Sequence, residues 1–140
     1  MAAVRIDGRP TDGWLGFDLA EVLATVGDWP HLEWVLRDAE LNCDVTKVWP
    51  EGVAVSDQTM RPGGLAVSWD EMRLLASSCS QIVDGTFVGY RRDGSAELSL
   101  AVIDSSYWIV WAQDDVVLDR VRAAFVSVSD YDEPPPPPCR

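Results

Sequence analysis

Residues 68–83, SWDEMRLLASSCSQIV, constrain the fold more than any other stretch. Trp69, Met72, Leu75, Ala76, Cys79, Ile82 and Val83 recur at three- and four-residue steps, which puts them on one face of a helix. Ser68 stands just before the run and Glu71 follows three residues on. That is the spacing of a capping box, in which each side chain satisfies a backbone N–H of the first turn. Gly85 lies past the last apolar position and suits the left-handed conformation that ends a helix. The pattern predicts a central packing helix, with Cys79 a buried thiol on its apolar stripe.

Downstream, the pattern changes to period two. Thr86–Arg92 and Glu97–Asp104 read as strands joined by Asp93-Gly94, a hairpin signal because both residues tolerate positive φ. Leu98, Leu100 and Val102 share one face. Ser105-Ser106 permits a second tight turn into Tyr107–Ala112, YWIVWA, a strand apolar on both faces and therefore central or covered. Asp114-Asp115 opens a closing helix to Phe125, where acidic residues suit the positive end of the helix dipole. Val117, Leu118, Val121, Ala124 and Phe125 form its expected buried face.

Upstream, Val4 and Ile6 mark a short edge strand. Asp18 and Glu21 form a second capping-box pattern ahead of Leu19, Val22, Leu23 and Val26, with Gly27 at the end. Residues 31–37, HLEWVLR, alternate as a strand, although the continuation DAEL leaves a helix open. Cys43–Trp49 alternates again, and Val53–Val55 can begin a further strand before the loop SDQTMRPGG. Leu65–Val67 leads into the central helix. From Ser127 the periodicity stops, and five consecutive prolines favour an extended polyproline II conformation. The expected organisation is one globular α+β domain over residues 1–126 and a disordered acidic, proline-rich tail over residues 127–140. The order of elements predicts segregated α+β: an antiparallel sheet built on the C-terminal three-stranded meander, with two to three packed helices.

Charge narrows the partners. The chain has 11 basic and 23 acidic residues, a net of −12. The excess is spread along it, 4 against 11 up to Met60 and 7 against 12 beyond. Such a field argues against nucleic acid and anionic membranes, and favours either plain solubility or a partner with a basic surface. No window is long and apolar enough for a membrane span, and the N-terminal residues show no apolar signal segment. Three widely spaced cysteines make a disulfide framework unexpected and point to the reducing cytoplasm. The seven tryptophans read as core and rim packing residues.

No catalytic or metal-binding signature is present. The single histidine, His31, lies in no ligand-spaced pair, so neither a metal nor another cofactor is expected. No serine sits in a nucleophile elbow, and Gly63-Gly64 lacks a phosphate-binding lysine. Asp84 and Asp104 are the most constrained carboxylates, each at the end of an element. Their expected role is in turns.

A resemblance enters at these residues. Trp69, Glu71, Gln81, Asp84, Gly85, Phe87, Gly89, Asp104, Ser105, Ser106, Trp108 and Val110 match the pattern of small bacterial immunity-type proteins associated with polymorphic toxins. The likeness covers about the C-terminal half, and its motif positions are mostly fold-determining. It implies a cytoplasmic, non-enzymatic protein that binds and blocks a toxin domain, and it brings no catalytic residues. The densest mix of acidic and aromatic residues for such a contact is Asp28, Trp29, Glu33, Asp38 and Glu40. Two other readings stay open: self-association through exposed tryptophans, and a small enzyme using His31 with a carboxylate.

Overall fold

The computed structural model describes residues 3–7, 18–43 and 55–138. In chain order the elements are β1 (Ala3–Asp7), α1 (Leu19–Val26), β2 (Glu33–Cys43), α2 (Val55–Thr59), β3 (Leu65–Val67), α3 (Trp69–Ser78), β4 (Cys79–Tyr90), β5 (Ala96–Ile103), β6 (Tyr107–Ala112), α4 (Asp115–Ala124) and β7 (Val128–Asp130). The strands form one sheet in the order β3-β2-β4-β5-β6-β1-β7, antiparallel at every pairing. The fold is therefore α+β, with the expected meander β4-β5-β6 at its centre.

Alternation sorts the side chains onto two faces. Val4, Ile6, Trp34, Leu36, Phe87, Leu98, Leu100, Val102, Trp108 and Val110 point to one side and are buried against the helices. There α1 contributes Leu19, Val22, Leu23 and Val26, α3 contributes Met72 and Leu75, and α4 contributes Val117, Leu118 and Val121. Ala124, expected to be buried, is exposed, and Phe125 is the half-buried C-cap. Val35, Val88, Tyr90, Ile109 and Trp111 point to the opposite face and form a second apolar cluster.

Both capping boxes form. Asp18 accepts from Ala20 N while Glu21 accepts from Asp18 N, and Ser68 and Glu71 exchange the equivalent bonds. The central helix, however, ends at Ser78 instead of reaching Val83, and Gly85 lies in a strand instead of capping a helix. Residues 79–83 pair with the far part of β2, Asn42 opposite Gln81 and Leu41 opposite Ile82. Ile82 and Val83 are β-branched and suit a strand. Bulges in β4, opposite the steps from Glu40 to Leu41 and from Asn42 to Cys43, break strict alternation, so Cys79 and Ile82 are both buried although three apart. Three-residue spacing therefore imitated a helix here. Cys79 is disulfide-bonded rather than a free thiol, and Cys43 stands opposite it in the ladder.

β2 resolves the ambiguity of residues 31–41 in favour of a strand, which begins at Glu33 after a turn at His31 and is bent at a bulge where Asp38 has φ +51°. The bulge frees the Ala39 N–H, which donates to Thr59 Oγ1 at 2.9 Å, and that hydroxyl donates to Ser56 O at 2.7 Å. This explains why residues 55–59, expected as strand and loop, form α2: buried Thr59 must be held under the bulge. The strand expected over Cys43–Trp49 lies outside the described residues beyond Cys43, which ends β2. The tail also differs from expectation. Val128–Asp130 pairs with β1, and the Tyr131 N–H donates to Ala3 O at 3.1 Å.

Candidate functional site

Two features of the sheet stand out: the end where β2 and β5 finish, and the face that the helices leave open.

At the end, Glu40 lies opposite Asp84 in the β2–β4 ladder, and Asp84 Oδ1 accepts the Asp104 N–H at 2.8 Å. Beside it Gln81 Nε2 donates to Ser105 Oγ at 2.8 Å, and Ser105 N donates to Val83 O at 2.8 Å. Asp104 and Ser105 have φ of +48° and +54°, and Ser106 N donates to Ile103 O, which closes a tight turn with both central residues left-handed. Non-glycine residues in that region are strained by about 1 kcal/mol or more each, and the bonds from Gln81 and Asp84 hold them there. Gln81, Asp84, Asp104, Ser105 and Ser106 are thus spent on folding a turn. Asp38, Glu40 and Asp104 are exposed and Asp84 is half-buried; among the described residues none of the four is in an ion pair.

The open face is built in cross-strand rows. One runs Arg37, Thr86, Ala101, Ile109 and Arg5; the next runs Val35, Val88, Ser99, Trp111 and Ala3. β5 puts Leu98, Leu100 and Val102 toward the helices, and Ser99 and Ala101 toward the open side along with Ile103 at its end. Small residues on the middle strand between Val88 and the pair Ile109 and Trp111 make a trough. This groove of about 400 Å³ is bounded by Glu133–Pro137 of the tail. Its rim carries Arg37, whose Nη1 donates to Tyr90 Oη at 3.0 Å, and Asp38. On the far side the Arg5 guanidinium lies 3.8 Å over the Tyr107 ring.

A proline run is chemically suited to that position. An extended segment laid on an apolar face must leave backbone donors unpaired, unless it has none; proline has none. Five residues at about 3.1 Å each cover about 15 Å, roughly three strand spacings. With the tail there, Trp111 is 4% exposed and Ile109 7%. The Trp111 Nε1 donor is buried with no acceptor among the described residues.

The five residues expected to meet a partner do not form one patch. Asp28, Trp29 and Glu33 lie at the start of β2, and Asp38 and Glu40 near its other end, about 16 Å away along the strand. Trp29 is half-buried: its Nε1 donates to Val26 O at 2.8 Å, and its carbonyl accepts from Trp34 Nε1 at 3.2 Å. Asp28 is exposed beside a shallow groove that Trp69 and Arg73 also line. His31 is exposed, 5.8 Å from the Trp29 ring, with no carboxylate bonded to it among the described residues. Trp14 and Trp49 lie outside the described residues; Trp34, Trp108 and Trp111 are buried and Trp29 and Trp69 half-buried, so none of the described tryptophans is exposed.

Perturbed titrations have structural causes. Burial pushes the Asp18 carboxyl up to about 6, aided by its bond to Glu21, and the same bond holds Glu21 below its ordinary value. The Ser95 hydroxyl and N–H lower Asp93, and Asp130 and Asp119 raise Arg122. Among the described residues no group of three or more His, Cys, Asp or Glu could hold a metal ion. No described helix is long and apolar enough to cross a membrane. No family model, curated protein or solved structure matches this chain.

No periodic pattern marks the groove in the sequence, but one signal for it is there. YWIVWA is apolar on both faces, so something must cover its second face, and the proline tail is a segment able to do so without unpaired backbone donors.

Proposed function

We propose that this chain is a non-enzymatic, acidic binding protein, an immunity-type inhibitor whose partner is a basic toxin domain. The observation that carries the reading is the net charge of −12, with carboxylates at one end of the sheet that no described cation neutralises. Such a surface steers a basic protein to it and disfavours nucleic acid. Asp38, Glu40 and Asp104 at that end are better placed to act together than Asp28, Trp29 and Glu33 at the other. The resemblance over the C-terminal half supports an architecture of this kind and leaves the contacts to the surface. The expected cytoplasmic location fits less well, because disulfides such as that of Cys79 persist mainly in oxidising compartments.

Capture of partners from the source cell at low and at high salt tests the reading. A basic protein retained at low salt, released at high salt, and lost with the combined Asp38→Asn, Glu40→Gln and Asp104→Asn variant supports it. Equal recovery of that partner by the variant overturns it.

A further inference from the structure

The open sheet face carries an inference beyond charge. The trough has a floor of small residues, Ser99 and Ala101. Its walls are Val88, Ile109 and Trp111. An extended proline segment already lines it, and the buried Trp111 indole N–H lacks an acceptor. These are the parts of a surface that recognises polyproline: a groove with a tryptophan wall, and an unpaired indole donor on the residue that lines it. The occupant is held lightly. Pro134, Pro135 and Pro137 are exposed and only Pro136 is half-buried among the four. Among the described residues, the last backbone bond tying this segment to the sheet is Tyr131 N to Ala3 O.

We propose that this groove is a polyproline-binding site, that Glu133–Pro137 is its resident intramolecular ligand, and that a partner's proline-rich segment followed by a basic residue displaces it. The basic residue is argued from Asp38, the exposed rim carboxylate with no ion pair among the described residues. Arg37, the rim cation, is engaged by Tyr90 Oη. A second copy of the chain is disfavoured as donor, because two bodies of charge −12 repel and the prolines follow Asp130, Asp132 and Glu133. The tethered tail competes at an effective concentration in the millimolar range, so it weakens a free ligand without abolishing binding. The inference rests on the proposed function only in taking the partner to be a protein.

The test uses the full chain, isotope-labelled, titrated with an acetylated pentaproline–diarginine peptide. Saturable shifts are expected at Val88, Ile109 and Trp111, including the indole N–H, with none from the same peptide carrying alanine for proline. Replacing Pro134–Pro137 by glycine and serine tightens binding about tenfold. In the native-tail chain Trp111→Phe, which keeps an aromatic wall and removes the donor, weakens it severalfold. The native-chain titration decides even where the tail variant fails to fold. No saturable response, shifts away from the groove, or an equal response to the alanine peptide overturns the proposal. So does concentration-dependent dimerisation that accounts for the same shifts. Salt-sensitive capture of a basic partner together with no peptide binding leaves the acidic-surface reading standing and removes this one.

Discussion

The two faces of the sheet are buried by different means. On one, α1, α3 and α4 bring their own apolar stripes, and Phe87, Leu98, Leu100, Trp108 and Leu118 have no exposed surface. On the other, a short extended segment without internal hydrogen bonds covers a smaller cluster. The helical cover is fixed by caps at Asp18, Ser68 and Asp114 and by interdigitated side chains. The proline cover is attached through one edge strand of three residues, β7. The difference teaches that the first face serves stability, while the second can be uncovered at small cost.

The largest expected effect separates the faces directly. Phe87→Ala, under the helices, should cost about 3–5 kcal/mol in urea unfolding, because the packed layers cannot close on the cavity. Ile109→Ala, under the tail, should cost about 2 kcal/mol, since a loosely held strap can settle into the space. Equal losses would mean equally rigid cover.

Reducing the Cys79 disulfide comes next. It should lower stability by about 2–4 kcal/mol and leave both apolar faces in place, detectable as an unfolding midpoint shifted by dithiothreitol with an unchanged near-ultraviolet spectrum. Replacing Pro134–Pro137 by glycine and serine should cost about 1 kcal/mol or less, since little side-chain area is lost and the helical core is untouched. It should also red-shift part of the tryptophan emission as Trp111 meets water. A loss comparable to Phe87→Ala would show that the tail is integral to the core.

The smallest effect lies in a cap of the helical cover. With its carboxyl raised from 3.8 to about 6, Asp18 contributes stability that is complete below the lower value and lost as pH rises through the upper one. Glu21, lowered, contributes in the opposite sense, and its contribution is lost only as pH falls below its ordinary range. Asp18→Asn should therefore flatten the decline in stability between pH 3.8 and about 6. An unchanged profile would place the titration elsewhere.

Legibility followed the same division. The helix starts were readable because a capping box is a local pattern: Asp18 with Glu21, and Ser68 with Glu71. The Asp93-Gly94 turn and the β5–β6 strands were readable for the same reason, since alternation and turn chemistry act within a few residues. The end of α3 was not. Whether Cys79–Val83 continue a helix or join a sheet depends on β2, some forty residues earlier, and on bulges that disguise period two. The acidic end was visible only as separate residues, because bringing Asp84 to Asp104 needs the β4–β5 register. The tail was hidden most thoroughly. Polyproline has no apolar period to read, and its place depends on small residues at Ser99 and Ala101 that count only once β4 and β6 flank them.

The central claim, that the proline tail closes the open face as a removable strap, is tested most directly by nuclear Overhauser contacts between the Trp111 indole protons and the ring protons of Pro134–Pro137 in the full chain. The account predicts such contacts, and their loss when the proline peptide is added. Random-coil shifts for all the tail prolines, with no contact to Trp111, would contradict it.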